Sequence, residues 1–208
     1  MTKLSDQFEK AILSLDRVTA RKLLQDESGN PLPMSTIEGV LCTTLERIGQ
    51  CWETGTLALA QVYMSGRICE ELMDALIANS STLVRQNQPR MAIAVLEDHH
   101  FLGKRMVYSA LRASGFKLLD YGHQDADGLV RRVKEDEIEI LLISTLMLPS
   151  ALRIGAVRAK LDSNTKILVG GAPFRFDEQL WKEVGADAMG RSASDAISLV
   201  SGIIGGEI

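Results

Sequence analysis

The chain has 208 residues, a length that allows one large domain or two small ones. Hydrophobic residues make up 46% and charged residues 24%, which excludes a disordered or fibrous chain and indicates a folded globular protein. The 23 Lys and Arg residues are outnumbered by 27 Asp and Glu, giving a formal net charge of -4. Because binding to a phosphate backbone uses an excess of basic side chains, nucleic acid is not expected as a partner.

The cysteines and the N-terminal residues bear on the cellular compartment. Cys42, Cys51 and Cys69 form no C-x-x-C pair, so we interpret them as ordinary buried thiols rather than as a disulfide framework or a zinc site. The first residues alternate charged and apolar positions, unlike a signal peptide. No apolar run reaches the roughly 18 residues that a membrane span needs. We therefore expect a cytoplasmic protein that does not bind membranes.

The first half of the chain is predicted to be helical. From residue 5 to about 84, apolar residues recur three and four positions apart, the spacing of amphipathic helices. Breaks fall at 27–35, where Ser35 is predicted to cap the next helix, and at 53–58, where Gly55 is predicted to end one. Three or four helices with short loops predict a small bundle, which at this length is expected to pair with a symmetry mate as a homodimer.

The second half of the chain has a different period. A polar stretch at 80–90 predicts a linker, so we assign a helical domain to 1–88 and a second domain to 89–208. Five short apolar runs follow, and each precedes a segment with helical spacing. The runs are 91–97, 116–122, 139–145, 166–171 and 186–190, and the helical segments are about 102–114, 126–136, 150–162, 176–184 and 192–203.

This alternation predicts an α/β fold with a parallel sheet covered by helices on both faces. A five-stranded repeat of this length favours the doubly wound strand order 2-1-3-4-5, with a topological switch between strands 1 and 3. Ligands bind beyond the carboxyl ends of the strands at such a switch. The loops at 97–104 and 144–150, which follow strands 1 and 3, are therefore the expected binding loops.

The loop after strand 1 reads D-x-H-x-x-G, with Asp98, His100 and Gly103. One ring nitrogen of a loop histidine can bind a metal while the other donates to a carboxylate, and Asp98 is the natural carboxylate. Gly103 would let a bulky ligand approach the backbone. The alternative is that Asp98 and His100 only cap a helix or bond each other at the surface.

The loops after strands 3 and 4 add polar and small residues. Ser144, Thr145 and Ser150 offer hydroxyls that can bond a polar ligand or extend a histidine network. Gly170 and Gly171 are predicted to open a slot along the sheet edge, although turn formation alone also explains a Gly-Gly pair.

Other sites at this edge fit less well. A receiver domain needs an Asp at the end of strand 3, where Ser144 and Thr145 stand, and a nucleotide loop needs several glycines after strand 1, where Gly103 is alone. A zinc site on His99, His100 and His123 lacks the usual ligand spacing and leaves the glycines unexplained.

Three motifs in order are similar to a known family. The family is that of the cobalamin-binding proteins related to the corrinoid module of methionine synthase and to the corrinoid proteins of anaerobic methyltransferase systems. Its signature is D-x-H-x-x-G, then S-x-L about forty residues later, then G-G. Here these positions are Asp98, His100, Gly103, Ser144, Leu146, Gly170 and Gly171. The resemblance covers nearly the whole chain, and it implies a helical cap followed by a Rossmann-like, flavodoxin-like cobalamin-binding domain.

The resemblance also implies roles for single residues. It implies that His100 ligates the cobalt from below, and that the displaced nucleotide tail of the cofactor passes Gly103. Asp98 and Ser150 would complete a His-Asp-Ser relay. The slot for the tail would be lined by Ser144, Leu146, Gly170 and Gly171.

The segment 52–66 is similar to the part of the family's cap that covers the upper face of the corrin. The candidate contacts there are Leu59, Gln61 and Met64. Helical spacing equally allows Leu59 and Met64 to be ordinary core residues of the bundle.

The sequence departs from the family pattern at four positions. His99 stands before the ligating histidine as a competing ligand, and Phe101 follows it where the family has an acid. Leu148 replaces a frequent Thr, which removes one hydroxyl. A Gly commonly precedes the Asp by one or two positions, and this chain has Leu96-Glu97 there, which predicts a shift of this loop.

The function implied by the resemblance is that of a methyl carrier. It would hold a methyl group on cobalt between a substrate-specific methyltransferase and an acceptor methyltransferase acting on tetrahydrofolate or a thiol, with a reductive activase as a further partner. Such a chain is a carrier subunit rather than a complete enzyme. The methyl donor, whether a methoxylated aromatic, a methylamine, methanol or a betaine, is chosen by the partner. A cobalamin-dependent sensor and a cobalamin storage protein are the alternatives.

Overall fold

The computed structural model describes residues 2–77 and 88–206. The chain divides into two compact units, 1–80 and 81–208. Most of the linker predicted at 80–90, and the end of the helical region predicted to reach about 84, lie outside the described residues.

The first unit contains four helices. They are α1 (Thr2–Leu13), α2 (Arg17–Leu23), α3 (Met34–Glu53) and α4 (Leu59–Ile77). Their apolar faces form a core whose fully buried members include Phe8, Ile12, Leu41, Ile68 and Met73. The helical bundle predicted from the spacing of apolar residues is therefore confirmed.

The helix ends of this unit follow local chemistry, with one correction. The Asp16 side chain accepts a 3.0 Å hydrogen bond from the backbone N–H of Thr19 and so caps α2. Gly55, at φ 74°, lies just after α3, as predicted. The prediction that Ser35 caps α3 was wrong, because the helix begins at Met34 after Pro33, and Ser35 already lies inside it.

The second unit is built on a parallel five-stranded sheet. Its strands are β1 (Met91–Leu96), β2 (Leu119–Gln124), β3 (Ile140–Ser144), β4 (Lys166–Gly170) and β5 (Ala188–Gly190). They lie in the order β2-β1-β3-β4-β5, so the predicted doubly wound order is confirmed. The topological switch falls between β1 and β3, as expected.

Helices cover both faces of this sheet. They are α5 (Leu102–Ala113), α6 (Ala126–Glu135), α7 (Leu148–Leu152), α8 (Ile154–Arg158), α9 (Ala172–Phe176), α10 (Leu180–Glu183) and α11 (Ala193–Gly205). The single helix predicted over 150–162 is replaced by the short helices α7 and α8, and the helix predicted over 176–184 is shortened to α10, with α9 ending where it was predicted to begin. Alternate residues of β1 and β3 enter separate cores on opposite faces. One core contains Ala94 and Ile143, and the other contains Ile93 and Leu142.

None of the helices in the described part of the chain combines the length and the apolar character needed to cross a membrane.

The three thiols differ in their surroundings, which leads to a chemical prediction. Cys69 is fully buried, and this burial raises its pKa to about 12, whereas Cys42 and Cys51 are half-buried. At pH 8 we expect Cys69 to carry about a thousandfold less thiolate than a free cysteine. In a variant with Cys42→Ser and Cys51→Ser, a thiol reagent should label Cys69 only after denaturation. Rapid labelling of the native variant would contradict this.

Candidate functional site

The site lies at the carboxyl edge of the sheet, where three loops meet. Strand pairing places Val95 of β1 beside Ser144 of β3, and Ser144 beside Gly170 of β4. The backbone N–H of Thr145 donates a 3.1 Å hydrogen bond to the Gly170 carbonyl, which extends this register past the strand end. The loops after strands 1, 3 and 4 therefore converge, as the strand order predicts.

The Asp98 carboxylate joins two of these loops. One oxygen, Oδ1, accepts hydrogen bonds from the backbone N–H of His100 at 3.1 Å and lies 2.6 Å from its ring Nδ1. The other oxygen, Oδ2, accepts from the backbone N–H of Leu146 at 2.7 Å and of Met147 at 3.0 Å. The residue is 3% exposed, so a buried carboxylate holds the loop after β1 against the loop after β3.

These hydrogen bonds set the protonation of Asp98. Burial raises the pKa of this carboxyl, but the hydrogen bonds from the His100 ring and from the N–H groups of Leu146, Met147 and His100 outweigh it, and the pKa lies below its ordinary value. Asp98 is therefore an anion at neutral pH, which obliges Nδ1 of His100 to act as the donor of their shared hydrogen bond.

The His100 ring is presented toward solvent. Its side chain is 56% exposed while that of Asp98 is 1% exposed. With the proton held on Nδ1, the lone pair of Nε2 is available to a metal. A histidine oriented by a carboxylate in this way is an arrangement suited to a single axial metal ligand.

His99, the competing ligand, has a different environment. Its ring stacks on that of His123, with the ring centroids 4.8 Å apart and the planes inclined by 2°. The His100 ring bonds a carboxylate and the His99 ring stacks on another imidazole, so the two neighbouring histidines have different partners. No group of three or more His, Cys, Asp or Glu residues in the described part of the chain is arranged to hold a metal ion.

The glycines lie where a side chain would collide with a neighbouring loop. A Cβ on Gly103 would stand 3.2 Å from Ser144 Oγ, so the loops after β1 and β3 pass close together here. Gly171 has φ 123°, and its Cβ would stand 1.7 Å from the Thr145 carbonyl oxygen. Gly170 is less crowded, with the nearest atom at 3.1 Å. The lack of a side chain at these three positions therefore lets the chain segments at this edge pack closely against one another.

The expected His-Asp-Ser relay was wrong at its last step, the hydrogen bond between Ser150 and Asp98. Ser150 is buried, but its Oγ donates a 2.8 Å hydrogen bond to the Glu97 carbonyl and not to Asp98. The reason is that Asp98 Oδ2 is already filled by two backbone N–H groups. Thr145 Oγ1 is buried without a hydrogen-bond partner among the described residues, and a water or a ligand usually supplies the partner of such a hydroxyl.

An apolar shelf follows β3. We use this term for Leu146, Met147 and Leu148, whose exposed fractions are 43%, 51% and 53%. Leu146 was predicted as a site residue, whereas Met147 was not. Met147 contributes to the site through its backbone N–H, which donates to Asp98. Every residue except proline carries such a group, so the sequence does not mark Met147 as a site residue.

The candidates in the first unit lie at the start of α4. Leu59 is 64% exposed, so the alternative that it is a core residue of the bundle is wrong. Gln61 is exposed, and its Oε1 accepts a 2.9 Å hydrogen bond from the backbone N–H of Ala58. Met64 is half-buried. Their contact with a corrin stays a prediction.

The fold and this edge define a class of protein: a helical unit followed by a doubly wound domain that presents one carboxylate-oriented histidine at its topological switch. Residues 90–200 match the family model of the B12 binding domain, and residues 4–77 match a second model with the same description. The chain therefore belongs to the B12-binding family, and its cofactor is a cobalamin or a related corrinoid. The family resemblance of the three motifs is confirmed.

Individual relatives cover the whole chain. It is 28% identical to a corrinoid protein of Desulfitobacterium hafniense, over 97% of this chain and 98% of that one. It is 26% identical to a trimethylamine corrinoid protein of Methanosarcina acetivorans, over 93% of this chain and 94% of that one. The structure of the monomethylamine corrinoid protein of Methanosarcina barkeri shares its fold, with a TM-score of 0.81 and 24% identity over 97% of this chain and 99% of that one.

The crowding at Gly171 leads to a prediction about stability. Gly171→Ala places a methyl group against backbone atoms of Thr145 that cannot move aside, and we expect it to lower the free energy of unfolding by about 3 kcal/mol or more. Gly170→Ala, with its nearest contact at 3.1 Å, is the matched control and should cost clearly less. Urea denaturation of both variants measures the difference. Equal losses would contradict this account of Gly171.

The lowered pKa of Asp98 leads to a prediction about pH. The pKa of Asp98 is lower in the folded state than in the unfolded state. The ionised carboxylate therefore stabilises the folded protein at pH values above the unfolded pKa of about 3.9, and this stabilisation is lost as the pH falls through the folded pKa. Asp98→Asn should lower the free energy of unfolding at pH 7 by about 2 kcal/mol, since it weakens hydrogen bonds to a buried charge. In urea titrations the gap between variant and wild type should narrow below about pH 4. A gap that is constant with pH would contradict the charged role of Asp98.

Proposed function

We propose that this protein carries a methyl group on the cobalt of a bound corrinoid, between a substrate-specific methyltransferase and an acceptor methyltransferase. The observation that carries the proposal is the exposed His100 ring, oriented by buried Asp98 at the topological switch. The names of the relatives, which include trimethylamine and monomethylamine corrinoid proteins, support a role in methyl transfer.

The residues at the sheet edge fit a corrinoid. His100 supplies one neutral nitrogen ligand, and Asp98 keeps the tautomer that exposes it. The apolar shelf offers Leu146, Met147 and Leu148 to the apolar surface of a flat macrocycle. In this proposal the nucleotide tail passes Gly103, Ser144, Gly170 and Gly171, although the packing of Gly171 against Thr145 by itself already requires a glycine there.

The cobalt of the bound corrinoid supplies the methyl-transfer chemistry, and the residues of this chain set its environment. Because Asp98 is an anion, its hydrogen bond to Nδ1 makes the His100 imidazole a better electron donor. The same bond fixes the ring orientation, so His100 does not need to be ordered when the cofactor binds. Ser150 acts indirectly in this proposal, through its bond to the Glu97 carbonyl.

The remaining assignments are parts of the same proposal. The acceptor methyltransferase would act on tetrahydrofolate or a thiol, and a reductive activase would restore cofactor that has been oxidised. The cap contacts would come from Leu59, Gln61 and Met64. A cobalamin sensor and a storage protein share the same cofactor site, so what separates them from a carrier is transfer of the methyl group to a partner.

The cofactor site is tested by spectroscopy. Protein reconstituted with hydroxocobalamin and desalted should retain the corrinoid with the ultraviolet–visible spectrum of a histidine-ligated form. His100→Ala should abolish that spectrum because it removes the axial nitrogen, whereas His99→Ala should keep it because His99 stacks on His123 instead. Loss of the spectrum in His99→Ala with retention in His100→Ala would show that His99 is the ligand. No retained corrinoid in the wild type would overturn the carrier, sensor and storage functions together.

The carrier function needs its own experiment. The wild-type protein, loaded with cobalamin and reduced, is mixed with methyltransferases encoded beside its gene and with candidate methyl donors. Formation of the methylated cofactor, followed by its loss when the acceptor enzyme and tetrahydrofolate or a thiol are added, supports the carrier. Retained corrinoid without methylation by any such partner would favour storage, and a light-dependent change of oligomeric state in the adenosyl form would favour a sensor.

A further inference from the structure

Glu97 has an unusual backbone conformation at the start of the site. It lies between the end of β1 and Asp98, and its φ is 44°, in the left-handed region that residues with a side chain rarely adopt. The family resembled by this loop commonly has a glycine one or two positions before the Asp, where this chain has Leu96 and Glu97. The shift of the loop predicted from the sequence stays a prediction; the structure shows that Glu97 adopts a conformation that favours glycine.

The conformation of Glu97 is held by contacts from three directions. Its N–H donates a 2.8 Å hydrogen bond to the Gln124 carbonyl at the end of β2, and its carbonyl accepts from Ser150 Oγ at 2.8 Å. Its side-chain Oε1 lies 3.1 Å from Arg153 Nε and 3.4 Å from the backbone nitrogen of Ala126. The residue is thus fixed by β2, by the first residue of α6 and by the junction of α7 and α8.

The left-handed turn decides where Asp98 points. Asp98 follows directly, and both of its oxygens must reach donors on two different loops, at distances between 2.6 and 3.1 Å. A relaxed, right-handed φ at Glu97 would redirect the chain before Asp98 and break this set of bonds. The orientation of His100 depends on the same set, because its Nδ1 bonds only to Asp98 among the described residues.

We infer that Glu97 and Arg153 form a positioning pair, which holds the turn before Asp98 and so keeps His100 in the orientation that ligates cobalt. The inference rests on the proposed function for its final step, the binding of cobalt by His100. The Glu97 and Arg153 side chains are 32% and 54% exposed, so the pair acts mainly by fixing geometry rather than through a large electrostatic energy. A glycine would adopt the turn without strain but would offer no side chain to hold it.

The chain contains a matched control for this inference. Glu137 is also a glutamate with a left-handed backbone, at φ 51°, and it forms an ion pair with Arg90 in the same unit. It precedes β3, at the amino edge of the sheet, away from the loops of the site. Glu137→Ala therefore reproduces the loss of an ion pair and of a strained glutamate side chain, but not the effect on Asp98.

The first test uses the cofactor-free protein and reads the His100 ring directly. Long-range proton–nitrogen NMR spectra should show the Nδ1–H tautomer of His100 in the wild type and in Glu137→Ala. In Glu97→Ala and Arg153→Gln that tautomer should give way to a mixture, because the bond to Asp98 is weakened. An unchanged His100 tautomer in Glu97→Ala would overturn the inference whether or not the protein binds a corrinoid.

The second test measures binding of hydroxocobalamin and the fraction with a histidine-ligated spectrum. Glu97→Ala should bind about tenfold more weakly, since it keeps a side chain that disfavours the turn and loses the contacts that hold it. Glu97→Gly, which removes the conformational cost, should recover part of the affinity, and Glu137→Ala should match the wild type.

The outcomes of the second test separate the two proposals. Wild-type affinity in Glu97→Ala would overturn the positioning pair and leave the proposed function standing. If the wild-type protein retains no corrinoid, the proposed function is overturned. The NMR measurement of the His100 tautomer would then still test whether Glu97 and Arg153 orient this ring. If Glu97→Ala fails to fold, the affinity of Arg153→Gln relative to Glu137→Ala decides the inference.

Discussion

The site depends on one buried carboxylate. Asp98 accepts four hydrogen bonds, two from His100 and two from the loop after β3, and the two pairs serve different purposes. The bonds to Leu146 and Met147 bring the loop after β3 to the switch, while the bonds to His100 fix the orientation of its ring. A charged acceptor is needed, because hydrogen bonds to an ionised group are about twice as strong as those between neutral groups and compensate for its burial.

The parallel sheet brings the loops after β1 and β3 close enough for the single side chain of Asp98 to join them. In a parallel sheet the carboxyl ends of neighbouring strands lie about 5 Å apart, so residues distant in sequence emerge side by side. Val95, Ser144 and Gly170 share one level of the sheet, and the loops that follow them need only small residues to converge. Gly171 shows how closely they approach, because nothing larger than hydrogen fits against the Thr145 carbonyl.

The strand order and the Asp98–His100 pair were predictable from the sequence, whereas most of the features that the sequence did not predict depend on main-chain groups. Apolar runs alternating with helical spacing predicted the strand order, and the D-x-H pattern predicted the pairing of Asp98 with His100. The backbone donors of Leu146 and Met147, the bond from Ser150 to the Glu97 carbonyl and the left-handed turn at Glu97 involve the main chain, and main-chain groups are nearly the same in every residue. Ser35 shows the reverse case, since a residue with good capping chemistry was displaced by a helix that starts one residue earlier.

The separation in sequence between Asp98 and its donors has a consequence for the order of assembly during folding. The bond from Leu146 to Asp98 joins residues 48 positions apart, and the intervening chain contains α5, β2, α6 and β3. Closing so long a segment costs entropy that only the pairing of β1 with β3 repays. The loop after β3 can therefore bond Asp98 only once β3 has been synthesised and has paired with β1, so a shorter nascent chain cannot hold the complete set of bonds to Asp98.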